Sequence, residues 1–284
     1  MGVLNLSPES FSGDGLFVDG ETAVNEAVEQ AQRFVAEGAH LLDVGGESTR
    51  PGSVAISAEE EMRRVLPVIE ILASTLRTPI SIDTYKSEVA SAALEAGASI
   101  VNDVWGLRMD SDLGFIAAKR HAPIILMHNR SRVLNAVYQE RLGGRYVGSR
   151  YDDLLGEITK ELQYSMDLAK VAGIPDDQII LDPGIGFGKT VEQNLILANN
   201  IDHFSVLGCP LLVGPSRKSF IGFTLDLPVT ERLEGTAAAV AIAIARGADI
   251  VRVHDVRVMA RVARMTDAIV RQSDNDHVSD IPCV

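Results

Sequence analysis

Polar side chains follow several short apolar runs of the chain, and four of them have the chemistry to hold a flat heterocycle. Asp83, Asn102 and Asp182 each end an apolar run, and Lys218 closely follows another. Carboxylate and amide oxygens accept hydrogen bonds from ring N–H groups, and an ammonium group donates to a ring carbonyl. Because an unpaired polar group in a buried site costs roughly 1–3 kcal/mol, these four residues predict a ligand rich in N–H donors with one carbonyl.

A second set of side chains has the chemistry of an anion site. It comprises Asn5, Arg50, Arg252 and His254, which lie at or after the ends of apolar runs. Arginine and histidine bind phosphate oxygens through charge-assisted hydrogen bonds, and an asparagine oxygen can be one of several ligands of a divalent cation. We therefore expect a phosphate group with a divalent metal, for which phosphate oxygens and water supply most of the ligands.

Turn formation is the alternative explanation for part of this pattern, since Asp and Asn are common in the turns that follow strands. Turns do not require Lys218, Arg252 or His254, so we interpret the whole set as an active site. The segment Gly184–Thr190 resembles the end of a nucleotide-binding P-loop, but Pro183 stands where that motif begins with glycine. We therefore expect no P-loop here.

One repeated unit must position these side chains. In each copy a helical pattern, with apolar residues three and four apart, leads into a short apolar run that ends in polar or glycine-rich residues. Runs without polar alternation indicate strands that are buried on both faces, as in a parallel sheet covered by helices. Eight such units favour an α/β fold with a single closed (β/α)8 TIM barrel over a doubly wound sheet. The active site of such a barrel lies at the C-terminal ends of its strands.

Glycine marks the ends of several helical patterns. Gly38, Gly97 and Gly247 each follow one pattern and precede an apolar run, as expected of helix C-caps. Helices are predicted at residues 21–38, 58–76, 86–96, 111–120, 151–172, 191–202, 235–246 and 256–272.

The predicted barrel covers residues 1–272, and a flexible polar tail, 273–284, follows it. The first strand begins at Met1 without a preceding segment, so we expect an N-terminus that is truncated or a start codon that is placed late. The longest irregular segment, 128–150, is predicted to be either a mobile lid or an insertion.

The composition restricts the partners that the protein can have. The formal net charge is −13, from 26 Lys and Arg against 39 Asp and Glu. This balance disfavours general binding to nucleic acid or to an anionic membrane surface, both of which need a basic face. No apolar stretch reaches the length of a membrane span, and no basic segment precedes a long apolar run at the N-terminus. With only two cysteines, Cys209 and Cys283, we expect a cytoplasmic protein without a disulfide framework or a signal peptide.

Seven of these segments, in order, resemble the dihydropteroate synthase family, whose members are pterin-binding enzymes. One segment alone would be weak support, but together they extend from the first predicted strand to the eighth. They are MGVLNLSPESFS (1–12), DVGGESTRPG (43–52), SIDTYK (81–86), VNDV (101–104), LDPGIGFGKT (181–190), VGPSRKSFIG (213–222) and ADIVRVHDV (248–256).

The resemblance implies an activity, a cofactor and partners. The family condenses 6-hydroxymethyl-7,8-dihydropterin diphosphate with 4-aminobenzoate, which gives 7,8-dihydropteroate and diphosphate in folate biosynthesis. Its fold is a (β/α)8 barrel, its cofactor is Mg²⁺, and its members resemble homodimers and are sulfonamide targets. We accordingly expect small-molecule substrates, a homodimer, and no nucleic-acid or membrane partner.

The resemblance also implies roles for single residues. Asn5 would be the magnesium ligand, Arg252 and His254 would hold the diphosphate, and Phe187 and Ser216 would border 4-aminobenzoate. The residues that would hold the pterin are Asp83, Asn102, Asp182 and Lys218. The residues of the loop that would order around the substrates are Thr49, Arg50 and Pro51. The implied catalytic set is Arg50, Asp83, Lys218, Arg252 and His254.

Departures from the family pattern leave two alternative functions open. The first loop of the family reads closer to TPDSFSDGG, whereas residues 7–15 read SPESFSGDG, with Glu9 in place of an aspartate and the next carboxylate moved from position 13 to Asp14. This change would fit a pterin-binding paralogue that is catalytically weak or inactive. A folate-dependent methyltransferase barrel that acts with a corrinoid protein would share Asp83, Asn102 and Asp182, but it would not need to bind a diphosphate. Arg252, His254 and the run Ser216-Arg217-Lys218 argue against this alternative.

Overall fold

The computed structural model describes residues 1–7, 21–48, 53–132, 135–147 and 150–271. Within these ranges the chain forms ten strands, of which eight run parallel around a central ring. The strands are β1 (Gly2–Asn5), β2 (Leu42–Gly45), β3 (Ile80–Asp83), β4 (Ile100–Asp103), β5 (Ile124–Met127), β6 (Ala136–Gln139), β7 (Gly143–Tyr146), β8 (Ile179–Asp182), β9 (Leu212–Val213) and β10 (Ile250–Val251).

Backbone pairing closes the parallel strands into a barrel. Strands β1 to β5 pair in chain order, β8 follows β5, and β9 pairs with β10. A bridge between Leu181 and Leu211 joins β8 to β9, and a bridge between Gly2 and Val253 joins β1 to the end of β10. The (β/α)8 barrel that the repeated units predict is therefore confirmed.

Helices alternate with the barrel strands. Helix α2 begins after Ser57, whose hydroxyl accepts a hydrogen bond from the Glu60 amide, and three glutamates in its first turn match the positive end of the helix dipole. Helix α6 begins with a capping box between Thr190 and Gln193. The α-helices of the described ranges are α1 (Glu21–Ala36), α2 (Ala58–Thr75), α3 (Ser87–Ala96), α4 (Leu113–Lys119), α5 (Leu154–Ala172), α6 (Val191–Ala198), α7 (Ser219–Leu225), α8 (Leu233–Ala245) and α9 (Val256–Val270).

The three predicted glycine caps are confirmed. Gly38, Gly97 and Gly247 have φ angles of 103°, 115° and 92°, a left-handed conformation that glycine adopts without steric cost. A Cβ atom at Gly97 would also lie 2.4 Å from Cβ of Ala73 in α2. Glycine therefore allows the chain to leave α3 and approach α2 closely before β4 begins.

Most of the barrel strands are buried on both faces, as their continuous apolar runs predict. In β5, Ile124, Ile125 and Leu126 are all fully buried, although successive strand residues point to opposite faces. Packing on both faces fixes the position of a strand, including that of its C-terminal end. The polar side chains that follow the strands therefore start from well-defined positions.

Two elements are absent from the prediction made from sequence. Segment 128–150, expected to be irregular, contains an antiparallel hairpin of β6 and β7. Helix α7 follows Lys218, where no helix is predicted. Both elements are short, with four residues in each hairpin strand and seven in the helix. Such lengths carry too few repeats for hydrophobic periodicity to reveal them.

Some predictions fall outside the described residues. These are the polar tail, 273–284, and the altered first loop with Glu9, Gly13 and Asp14. The last described helix, α9, ends at Val270. Among the helices that the structure describes, none is long and apolar enough to cross a membrane.

Candidate active site

Most of the predicted site residues line one cavity at the C-terminal ends of the barrel strands. Its volume is about 210 Å³. Its walls come from separate βα units of the barrel, so the side chains that the sequence scatters along the chain meet in space. The predicted residues that line it are Asn5, Asp83, Phe187, Ser216, Lys218, Arg252 and His254.

Arg252 is held in the cavity wall by two carboxylates. Its Nε lies 2.6 Å from Asp43 Oδ2, and its Nη2 lies 2.7 Å from Asp83 Oδ2. Burial alone would lower the pKa of Arg252, but the two carboxylates outweigh that effect and raise it. Arg252 therefore presents a permanent positive charge in a fixed position, as stabilisation of an anionic leaving group requires.

Asp43 belongs to the site, although the sequence pattern alone assigns it no role there. Its carboxylate is fully buried and accepts hydrogen bonds from Ser81 Oγ, from Asn102 Nδ2 at 3.2 Å and from Arg252. The sequence shows only that Asp43, like Asp83, belongs to an apolar run. Because Arg252 is 209 residues away in the chain, no local pattern could reveal their pairing.

Asp83 has one carboxylate oxygen that lacks a hydrogen-bond partner among the described residues. Its Oδ2 accepts from Arg252, whereas its Oδ1 is buried and has no hydrogen-bond partner among the described residues. Burial raises the pKa of Asp83, while Arg252 opposes the rise and Asp43 adds to it. An unpaired buried acceptor costs about 1–3 kcal/mol, which a donor group on a ligand would offset.

Lys218 is fixed against the loop that follows β8. Its Nζ donates to the carbonyl oxygen of Ile185 and lies 4.4 Å from the centre of the Phe187 ring. Burial lowers the pKa of Lys218 to about 8, and Asp182 opposes the decrease. Gly186 permits this packing, because it has a φ of 84° and a Cβ atom there would lie 2.6 Å from Lys218 Cδ.

The loop that carries Phe187 is wrapped around a buried lysine. Lys189 Nζ lies 2.9 Å from the Gly184 carbonyl oxygen, 3.1 Å from the Phe187 carbonyl oxygen and 2.9 Å from His128 Nδ1. Burial lowers the pKa of His128 to about 3. The Nε2 atom of its ring lies 3.1 Å from Glu161 Oε2. Lys189 thus binds its own loop, which agrees with the rejection of a P-loop. Its role and that of His128 were not apparent from their sequence positions.

Ser216 orients His254 at the cavity. The Ser216 hydroxyl oxygen accepts from the His254 backbone amide at 3.2 Å and lies 3.0 Å from His254 Nδ1. These two contacts fix the orientation of the His254 ring relative to the loop after β9. The adjacent Arg217 and Asp255 form an ion pair with N–O distances of 2.6 and 2.9 Å. This pair ties the loop after β9 to the loop after β10.

Glu47 lies on the cavity at the described start of the loop that contains three predicted site residues. Its carboxylate is 2.6 Å from Lys86 Nζ, an ion pair that fixes the end of β2 to the start of α3. Thr49, Arg50 and Pro51 themselves lie outside the described residues. Their roles therefore stay predictions.

Asn102 and Asp182 are buried near the cavity but are not among the residues that line it. Asn102 donates to Asp43, and Asp182 Oδ1 accepts from the Gly184 amide at 2.7 Å. Asn102 therefore supports Asp43, the partner of Arg252, and Asp182 supports the start of the loop that carries Phe187. Their direct contact with a ring stays a prediction.

The described residues offer few ligands for a metal ion. Among them, no group of three or more His, Cys, Asp or Glu side chains is arranged to hold one. Asn5, whose side chain has one amide oxygen, and Asp83 both line the cavity. This donor set fits a cation that binds largely through a substrate and water, rather than one held by the protein alone.

The chain is similar to known proteins over nearly all of its length. Residues 1–254 match the model of the family described as pterin binding enzyme. The chain is 46% identical over 277 residues to the dihydropteroate synthase of Bacillus subtilis, a match that covers 98% of this chain and 90% of the relative. It is 47% identical over 272 residues to that of Synechocystis, covering 95% and 90%.

Solved structures agree with this relationship. The Clostridium difficile dihydropteroate synthase, crystallised in the presence of pteroic acid, is 43% identical with a TM-score of 0.84, and the match covers 95% of this chain and 96% of that one. The Yersinia pestis dihydropteroate synthase, in a sulfonamide drug complex, is 36% identical with a TM-score of 0.87, and covers 95% and 94%. The chain therefore belongs to the pterin-binding enzymes, as a member of the dihydropteroate synthase family.

Proposed function

We propose that the cavity at the barrel mouth is where the family's reaction takes place in this chain. In this reaction 6-hydroxymethyl-7,8-dihydropterin diphosphate and 4-aminobenzoate give 7,8-dihydropteroate and diphosphate. The observation that carries the proposal is the meeting of three groups in one cavity. These are the fixed guanidinium of Arg252, the ammonium of Lys218 and the unpaired oxygen of Asp83.

The pterin ring binds through its polar edge. Asp83 Oδ1 accepts from ring N–H groups, which supplies the hydrogen bond that this buried oxygen lacks. Lys218 donates to the ring carbonyl. The resemblance assigns Asn102 and Asp182 to the same ring. Asp182 is close enough to raise the pKa of Lys218, and Asn102 donates to Asp43.

Bond cleavage places negative charge on the leaving diphosphate and positive charge on the pterin methylene. The C–O bond breaks with its electron pair on oxygen, and Arg252 and His254 bind the diphosphate oxygens as that charge develops. The carboxylate of Asp83 stands on the ring side, where it favours the cationic pterin. Both effects depend on groups that are already in position before the substrate binds.

A divalent metal, Mg²⁺ by resemblance, would neutralise further charge on the diphosphate when it is bound. Asn5 is the residue of the cavity that would hold it, with most other ligands coming from diphosphate and water. Asn5 ends β1, so the position of its side chain is fixed by the barrel itself.

The amine of 4-aminobenzoate attacks the methylene carbon with its own lone pair. Its nitrogen forms the new C–N bond and then loses a proton to solvent or to the departing diphosphate. An aromatic amine is already a nucleophile, so positioning against Phe187 and Ser216 supplies much of the acceleration. Thr49, Arg50 and Pro51 would complete the enclosure around both substrates. Sulfonamides, which resemble 4-aminobenzoate, would compete for the same place.

We also propose a homodimer in the cytoplasm. Helices α8 and α9 pack together and expose large apolar side chains, with Ile242 46% and Met265 and Ile269 each 62% exposed. A surface of this kind fits an interface with a second copy. Analytical ultracentrifugation tests it: a dimer mass is expected, and a monomer at micromolar concentration would contradict it.

The activity is tested by turnover of the purified protein. Incubation with the pterin diphosphate, 4-aminobenzoate and Mg²⁺ should yield 7,8-dihydropteroate and diphosphate in equal amounts, identified by mass spectrometry. Omission of Mg²⁺ with added chelator should stop the reaction, and its return should restore it. Binding of the pterin diphosphate without product would instead favour the inactive pterin-binding paralogue.

A further inference from the structure

The hairpin of β6 and β7 takes no part in the reaction above, yet its tip lines the cavity. Residues 140–144, which form the turn and the start of β7, are part of the cavity wall. The strand residues Val137 and Tyr138 are 45% and 58% exposed. The hairpin therefore meets the site with its tip and leaves much of its length in solvent.

A buried arginine joins this tip to the active-site loop after β9. Arg232 is 3% exposed, and its guanidinium donates to the Leu142 carbonyl oxygen at 2.9 Å and to the Arg217 carbonyl oxygen at 3.0 Å. Arg217 stands between Ser216 and Lys218. One side chain thus spans from the hairpin tip to the backbone of the residues that bind substrate.

Two further contacts hold the hairpin from outside. Arg141 is paired with Asp226 and also donates to the Asp226 carbonyl oxygen at 2.8 Å, while the Arg145 guanidinium lies 4.6 Å from the centre of the Phe223 ring. All these partners belong to residues 223–232, as Arg232 does. An isolated two-stranded hairpin is at best marginally stable in water, so the position of the tip depends on these contacts with one segment of the cavity wall.

We propose that the hairpin tip is the outer wall of the amine site and determines which amines the enzyme accepts. The proposal rests on the proposed function, in which Phe187 and Ser216 border 4-aminobenzoate. Leu142 is 4% exposed, so it is an apolar side chain packed in place rather than a loose loop residue. A long polar group on the carboxyl end of the amine would have to displace it and break its contact with Arg232. The tip therefore selects 4-aminobenzoate over amines that are extended at that carboxyl group.

Competition between two amines tests this selection. We would measure kcat/KM for 4-aminobenzoate and for 4-aminobenzoyl-L-glutamate, with the pterin diphosphate saturating. The wild-type protein should prefer the shorter amine. In Leu142→Ala and in Arg141→Ala, the preference should fall about tenfold, because discrimination by the shape of an apolar pocket is of this size. Val137→Ala is the control, since Val137 lies in the same hairpin and is not part of the cavity wall.

The outcomes separate this proposal from the proposed function. Product from 4-aminobenzoate with the wild type tests the reaction alone. If the wild type uses both amines equally, or if the preference is unchanged in both hairpin variants, the selection is contradicted. Arg141 is exposed, so Arg141→Ala decides the question if Leu142→Ala does not fold. An equal fall in Val137→Ala would show a general effect of the hairpin and would also contradict the role of the tip.

Discussion

Arg252 and Lys218 are both cationic side chains of the same cavity, but their surroundings give them different tasks. Arg252 is paired with two carboxylates and keeps its charge whether or not a ligand is present. The ammonium of Lys218 donates to a carbonyl oxygen and lies over an aromatic face, and burial lowers its pKa to about 8 although Asp182 opposes the decrease. Lys218 is therefore the group that a ligand would stabilise most.

Lys218→Met should separate binding from stability. The buried ammonium costs free energy in the unliganded protein, since its pKa lies below its ordinary value. The variant should therefore bind the pterin at least about 100-fold more weakly, as expected on loss of a buried charged partner, without a lower melting temperature. Titration calorimetry and thermal unfolding measure the two effects. Lys170→Met, at an exposed ion pair on α5, is the control and should change neither; a Lys218→Met protein that binds normally would contradict the assignment.

The same lysine predicts a pH dependence with opposite signs for binding and stability. Its folded pKa of about 8 lies below the ordinary value of 10.5, so the unfolded chain binds more protons between these two values. Stability of the unliganded protein should rise with pH across this range, while pterin affinity should fall above about pH 8 as the ammonium is lost. A pterin without diphosphate serves as ligand, so that phosphate ionisation plays no part. An affinity that is constant from pH 7 to pH 9.5, or that falls equally in Lys218→Met, would contradict this prediction.

At the scale of elements, the loop after β8 contains both Phe187 and Ile185, whose carbonyl oxygen accepts a hydrogen bond from Lys218. The loop turns at Gly186, which has a positive φ of 84°. A side chain at this position would also collide with Lys218. Lys189 Nζ donates hydrogen bonds to the carbonyl oxygens of Gly184 and Phe187 in the same loop. The conformation of this loop therefore decides where the Lys218 ammonium lies.

Gly186→Ala should weaken pterin binding through this loop. The new Cβ would meet Lys218 Cδ at 2.6 Å, so the lysine must move from its place. Gly208→Ala is a matched control, because Gly208 has a φ of 73° and no atom within 4 Å of its missing Cβ. Both variants should lose about 1–2 kcal/mol of stability from backbone strain, but only Gly186→Ala should raise the pterin dissociation constant. Equal pterin affinities in the two variants would contradict the role of the loop.

The elements that could be predicted from sequence are those that repeat or that are packed on two faces. Continuous apolar runs reveal β5 because both of its faces are buried, and Gly97 reveals the end of α3 because its conformation requires glycine. Helix α7 and the β6–β7 hairpin are too short for such a signal, and the hairpin is held by contacts such as that of Arg232 with Leu142, which are 90 residues apart. Asp43 shows the same limit at the site: an aspartate after an apolar run is visible, but its pairing with Arg252 depends on barrel closure.

At the scale of the whole molecule, closure of the ring is what creates the site. The bridge between Gly2 and Val253 brings the last strand beside the first, and so places Arg252 and His254 on the same cavity as Asn5. The residues predicted to bind the ring and those predicted to bind the anion are consequently not separate patches. Arg252 of the second set contacts Asp83 of the first at 2.7 Å. One barrel mouth can therefore hold a pterin and its diphosphate together.

The most direct measurement is the affinity of the wild type, Lys218→Met and His254→Ala for the pterin diphosphate and for the same pterin without diphosphate. We predict that Lys218→Met weakens the binding of both ligands by a similar factor, because the ring is common to them. We predict that His254→Ala weakens only the diphosphate ligand. Wild-type affinity of Lys218→Met for both ligands, or an equal loss of both in a folded His254→Ala, would contradict the assignment of ring and diphosphate to neighbouring parts of one cavity.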